Sequence, residues 1–111
     1  MINEKNYYGC ALDLPSDDDR LLKYKEQRKE HGFDDTETWN LNMSMAKFMS
    51  PRLKRLLEIQ EGLIKEPYKG YFSEVRELAE AFDSYGEDSW NTEALETITK
   101  KFGKVFPYLW W

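Results

Sequence analysis

Cysteine is almost missing from this sequence. Cys10 is the single thiol among 111 residues, so no disulfide forms within one chain and a reducing compartment is expected. Histidine is as scarce, with His31 alone, and no zinc-ligand spacing can be drawn. No apolar run approaches the roughly 20 residues that cross a bilayer, and the opening MINEKNYYG has no apolar signal segment. A soluble cytoplasmic protein with no membrane partner is therefore expected. The six glycines are scattered as helix stops, and neither a phosphate-cradling loop nor a nucleophile elbow is present. Positive charge is in deficit: 16 Lys plus Arg against 21 Asp plus Glu leave a net −5, the wrong sign for clinging to a nucleic-acid backbone. A long nucleic acid is excluded as partner, whereas a small anion needs only a local positive pocket. No catalytic constellation, cofactor motif or metal set emerges, so enzyme is the disfavoured class.

Aromatic residues are plentiful, at 15% of the chain with four tryptophans. They give a small domain large buried area, and they also anchor interfaces and stack on bases. The stretch around which the chain is organised runs from His31 to Glu58. Phe33, Trp39, Leu41, Met45, Phe48, Met49, Leu53, Leu56 and Leu57 recur there at helical spacing, which makes them the expected core anchors. From Thr38 to Leu57 the same stretch holds four cations, Lys47, Arg52, Lys54 and Arg55, and no acid.

In chain order, residues 1–15 read as an extended arm. Ser16 and Asp19 then form a capping-box pattern for a helix running to about His31, and Gly32 supplies its left-handed stop with Phe33 as the accompanying apolar contact. Asp34, Asp35 and Thr36 are caps for a turn carrying Trp39. His31, Asp34 and Asp35 also compose a metal-ligand set on paper, but capping accounts for the two aspartates more simply. A long helix from about Leu41 to Gly62 should kink or restart at Pro51, with Ser50 as cap. Its apolar stripe is read as Met45, Met49, Leu53, Leu56, Gln60 and Leu63. Arg52 stands at the stripe's edge, four residues from Phe48 and from Leu56, placed to snorkel, to form an ion pair or to reach an anion. After Pro67 and Gly70, Ser73 opens a helix bearing Val75, Leu78, Ala79 and Phe82 that Gly86 ends. Asn91 or Thr92 opens the last, with Leu95, Ile98, Phe102, Val105 and Leu109 a turn apart. The fold class is all-α: a single helical domain over 1–111, a bundle of four or five helices. The PYLWW segment places adjacent tryptophans on different sides of any regular element, which a small monomer struggles to bury. A homo-oligomer whose interface includes Tyr108, Leu109, Trp110 and Trp111 is the simplest solution, and a stacking surface for a ligand is the second.

The run GFDDTETWNLNMSMAKFMSPRLKRLLE, the later EVRELAEAF and the ending FGKVFPYLWW resemble a group of small phage-encoded proteins. Their pattern is roughly G-[FYW]-[SD]-D-x-[DE]-[TL]-W-x-[LF]-[ND], then A-[KE], P-R-L-K, A-F and L-W-W. The resemblance spans Gly32 to Trp111, and the W-x-L and P-R-L-K pair carries most of its specificity. Most members of the group have no assigned function. A phage context suggests counter-defence, with the anti-CBASS sponges as the closest activity: small oligomeric proteins that hold cyclic dinucleotide signals without cleaving them. No binding motif of the sponges maps onto positions here, so the candidate site rests on chemistry alone. Two phosphates ask for Arg52 and Arg55 with Lys47 adding to the field, and a base asks for an aromatic face such as Trp39. The expectation is a sequestering protein of the host cytoplasm. The alternatives are an inhibitor that engages a host defence enzyme through its acidic, tryptophan-bearing surface, and a phage assembly protein.

Overall fold

The computed structural model describes residues 7–63 and 71–111. Among these residues there are five α-helices and no strand: α1 (Arg20–His31), α2 (Thr36–Trp39), α3 (Leu41–Leu63), α4 (Phe72–Glu87) and α5 (Thr92–Val105). Short 3-10 turns lie at Ala11–Asp13 and Phe106–Tyr108. The all-α class expected from the sequence is what is observed. The turn around Pro67 and Gly70 lies outside the described residues, as does the beginning of the expected arm. The chain divides into two compact units, Met1–Met45 and Ala46–Trp111, and the division falls within α3.

The first unit is held by polar bonds more than by apolar burial, since α1 buries none of its residues. Its helix starts three residues later than the Ser16 cap implies. Pro15 opens a turn in which Asp18 N–H donates to the Pro15 carbonyl at 3.0 Å, and Asp18 accepts from the Arg20 backbone N–H at 2.9 Å. The Arg20 guanidinium closes on the same carboxylate at 2.8 Å, holding its pKa down at about 2. At the other end the expectation holds. Gly32 has φ +85° and donates to the Arg28 carbonyl at 2.9 Å, the left-handed stop that other residues adopt at a cost. Phe33 remains half exposed.

Asp34 is the hub of this unit and has no exposed surface. It caps α2 in a reciprocal box: its carboxylate accepts from Thr36 N–H at 2.9 Å, while Glu37 accepts from Asp34 N–H at 2.8 Å. The same carboxylate takes the Tyr7 hydroxyl at 2.7 Å, the Thr36 hydroxyl and the Arg28 guanidinium, and Arg28 stands 5.5 Å over the Tyr7 ring. Asp35 exchanges two 2.9 Å bonds with Gln27. Asp34 thus caps as expected, whereas the Asp35 carboxylate caps nothing and is engaged by Gln27. Cys10 N–H reaches Thr36 Oγ1 at 3.1 Å and Ala11 N–H reaches the Tyr7 hydroxyl at 3.2 Å, fastening residues 7–11 to the hub. Gly9 is required by close approach: a Cβ there would overlap Thr36 Oγ1 and the Tyr7 phenol.

The second unit has the apolar core, made of Ala46, Leu53, Leu57, Val75, Leu78, Ala79, Phe82 and Val105. Met49, Leu56, Ile98, Phe102 and Leu109 pack against it, and Phe102 meets Phe82 edge-on at 6.1 Å. Ion pairs lace the helices over this core: Lys101 to Glu77 and Lys104 to Glu74, each at 2.9 Å between α5 and α4, and Lys54 to Asp83 between α3 and α4. Asn91 caps α5 by accepting from Ala94 N–H at 3.0 Å. Ser73 caps nothing, because α4 begins at Phe72, and Gly86 sits inside α4 and not at its end.

Two expectations for α3 need correction. The helix continues through Pro51, and Ser50 does not cap a restart; its hydroxyl donates to Asp83. The buried line is Ala46, Ser50, Leu53, Leu57 and Gln60, whereas Met45 and Leu63 of the expected stripe are exposed. Those buried positions are spaced four and three residues alternately, a complete helical face. Small Ala46 and Ser50 allow close approach to α4 at Phe82, Asp83 and Gly86, around a cavity of about 200 Å³. Of the nine expected core anchors, Phe33, Trp39, Leu41, Met45 and Phe48 are likewise exposed.

Candidate functional site

The four residues expected to bind a ligand are all on the surface, in different settings. Trp39 closes α2 in the first unit and is 83% exposed. Lys47, Arg52 and Arg55 belong to α3 in the second unit, and each is exposed. Arg52 folds back onto its own helix: its guanidinium lies 3.8 Å from the Phe48 ring centroid and donates to the Phe48 carbonyl at 3.0 Å. That is a cation–π stack with an apolar body beneath it, the snorkelling alternative made specific. Arg55 pairs with Glu58 at 2.8 Å, one turn along, and both side chains are about two-thirds exposed. A pair so placed contributes little to stability, and water competes for it. Lys47 lines the small α3–α4 cavity with Ser50, Asp83 and Glu87. Lys54, the remaining cation of the acid-free stretch, is occupied by Asp83. Burial alone would raise the Asp83 pKa, but the bonds from Lys54 and Ser50 outweigh it and hold the carboxylate below its ordinary value. The acid-free stretch of sequence is therefore not acid-free in space, because α4 brings acids to it.

Two larger cavities of the second unit are lined by carboxylates. One of about 360 Å³ between α4 and α5 is lined by Glu77, Glu80, Glu93, Asn91 and Thr97 over a floor of Ala81 and Ala94. Another of about 310 Å³ has Glu58, Glu61 and Glu80 facing Lys54 and Arg76. A bound phosphate meets repulsion in the first and competing carboxylates in the second.

The Tyr108–Trp111 segment divides in two. Tyr108 stacks on Tyr71 with ring centroids 4.0 Å apart, and Leu109 packs on the core. Trp110 and Trp111 remain 49% and 67% exposed. Gln60 donates from Nε2 to the carbonyls of both Tyr108 and Trp110, each at 2.8 Å, and Trp110 Nε1 donates to the Pro107 carbonyl at 3.0 Å. Gln60 is 3% exposed. A lone amide inside an apolar stripe was the sequence signal for this role.

Trp90, in the turn between α4 and α5, is 89% exposed. All four tryptophans of the chain are therefore surface residues. Comparison with protein-family models, curated proteins and solved structures finds no match.

Proposed function

We propose that this protein acts by binding and not by catalysis, as a homo-oligomer in a phage-infected host cytoplasm that engages a partner protein through its exposed aromatics. The reading is carried by the exposure of Trp39, Trp90, Trp110 and Trp111, at 83%, 89%, 49% and 67%. Tryptophan is the side chain most enriched at binding hot spots, so solvated indoles, most of all those of Trp39 and Trp90, offer contacts to a partner's surface. Leu41 and Met45, also exposed and one turn apart on α3, add apolar area of the same kind. The net charge of −5 directs the protein to a basic target. Inhibition of a host enzyme by surface occlusion is the activity this composition serves.

The second reading is the cyclic-dinucleotide sponge. Arg52 and Arg55 favour it, being exposed cations one turn apart beside the Phe48 ring on α3. Calorimetric titration with a panel of cyclic dinucleotides separates the readings. Protein binding predicts no saturable heat up to millimolar ligand. The sponge predicts saturation with the nucleotide recovered intact, at least tenfold weaker binding in Arg52→Ala, nearly as much loss in Arg52→Lys, and little change in Lys23→Ala, because only a guanidinium grips a phosphate at two points.

A further inference from the structure

We infer that the Tyr7 hydroxyl is the pin of a latch that closes the first unit, and that this unit opens as a whole, with the second unit still folded, when the pin is withdrawn. The latch does not depend on what the protein binds; its consequence for Trp39 rests on the partner-binding reading above.

The first unit has almost no apolar burial to hold it. Among its described residues only Ala11 and Asp34 are buried, whereas eight apolar residues form the core of the second unit. Its helices cannot stand by themselves. The α2 helix has 4 residues and α1 has 12 with none buried, while isolated helices shorter than about 12–15 residues are marginal in water. What joins them is the hub, which Tyr7 enters from 27 residues before Asp34. Its hydroxyl donates to Asp34 at 2.7 Å, lies 2.9 Å from Thr36 Oγ1 and accepts from Ala11 N–H at 3.2 Å. One phenolic oxygen therefore ties residues 7–11 to the start of α2 and, through Asp34, to Arg28 of α1. These bonds share one buried carboxylate, so losing one leaves the others poorly satisfied and the unit opens together. Openings confined to the part of a fold with the fewest buried apolar contacts are more frequent than global unfolding.

Opening removes the cap of α2, because the reciprocal box of Asp34 and Glu37 starts that turn. Trp39 closes α2, so the latch decides whether its indole is displayed in a fixed place. The hub also makes the latch sensitive to acid. Around Asp34 stand Tyr7 from the arm, Arg28 from α1, and Thr36 and Glu37 from α2, while Lys23 of α1 reaches Asp35 instead, at 3.6 Å. Burial works to raise the Asp34 pKa, yet the bonds from Thr36, Tyr7 and Arg28 hold it below the ordinary value. The latch is therefore closed at neutral pH and loosens as pH falls through that lowered value. Burial, with Asp34 beside it, raises the Tyr7 phenol above its ordinary value, so the pin keeps its proton at neutral pH.

The test is native-state amide hydrogen exchange of the full chain and of Tyr7→Phe, which keeps the ring and removes the hydroxyl. Tyr24→Phe, on α1, is the control. In wild type the amides of α1 and α2 are expected to be at least about tenfold less protected than those of α4 and α5. Tyr7→Phe is expected to speed exchange in α1 and α2 by at least about tenfold, the loss of a bond to a charged group, and to leave α4 and α5 unchanged. Tyr24→Phe is expected to change neither. A Tyr7→Phe chain whose first unit is open outright, with wild-type protection in α4 and α5, also supports the latch. Equal acceleration in both units, or none in the first, overturns it. Acid titration of wild type is the second measurement: native amide signals of α1 and α2 are expected to vanish at a higher pH than those of α4 and α5, and one shared transition overturns the latch. For the partner, adduct formation in cells from a photo-crosslinker at Trp39 is expected to fall at least about tenfold in Tyr7→Phe, while that from Trp90 persists. Unchanged adduct from Trp39 with the first unit open removes the control of Trp39 and leaves the latch. No adduct from wild type removes the partner reading, and the exchange data still decide the latch.

Discussion

Asp34→Ala should destabilise the protein by about 3 to 5 kcal/mol, the range for removing one partner of a buried ion pair. Asp34 is fully buried and takes bonds from Tyr7, Arg28 and both Thr36 donors, so its loss strands several polar groups at once. The loss is large beside a typical total stability of about 5–15 kcal/mol, and chemical denaturation measures it. Burial by itself raises the Asp34 pKa, but the bonds from Thr36, Tyr7 and Arg28 together lower it beneath the ordinary carboxylate value. A depressed folded-state pKa means that the stabilisation is complete above the unfolded-state value near 4 and is lost as pH falls through the lower, folded one. Asp34→Asn, which cannot titrate, should accordingly be less stable at neutral pH and show a flatter decline in stability below pH 4. An Asp34→Ala chain as stable as wild type would show that the hub does not hold the first unit.

Phe82→Ala should cost the second unit about 3 to 5 kcal/mol through lost burial and the cavity left behind. Phe82 is 1% exposed at the meeting of α3, α4 and α5, and Phe102 rests on its edge. Trp90→Ala is the matched comparison, removing a larger side chain that touches mostly water. Its effect on melting should stay within about 0.5 kcal/mol, as for other surface substitutions. The pair separates folding from function: a stability loss in Trp90→Ala as large as in Phe82→Ala would mean that the indole is structural.

Local signals in this chain were legible where the partner is close in sequence. Gly32 as a helix stop, the Asp34 cap and the Asn91 cap depend on neighbours two to four residues away, and each stands where the sequence puts it. One error was local, the Ser16 cap giving way to Asp18, on whose carboxylate Arg20 closes. The others came where a residue distant in sequence decides. α3 does not restart at Pro51, since Leu53 and Leu57 bury against the second unit's core and outweigh local propensity. The buried face of α3 was misjudged because size was read as burial. The side chains that enter are small Ala46 and Ser50, chosen by what α4 presents, and large Met45 and Phe48 are left outside. The cationic stretch misled in the same way, since the acids that temper it come from α4 and from Glu58. Exposure of the tryptophans was foreshadowed only for the adjacent Trp110 and Trp111. Nothing local distinguishes Trp39 or Trp90 from a core residue.

The central claim, that the solvated tryptophans are contacts for a partner protein, is tested most directly by photo-crosslinking in the cells that make this protein. A benzophenone amino acid is placed in turn at Trp39, Trp90 and, as controls, the exposed Lys23 and Lys100. The account predicts a discrete adduct with one and the same protein from positions 39 or 90, none from 23 or 100, and at least tenfold less adduct when the other tryptophan is alanine. Adducts of equal yield from all four positions, or none from any, would contradict it.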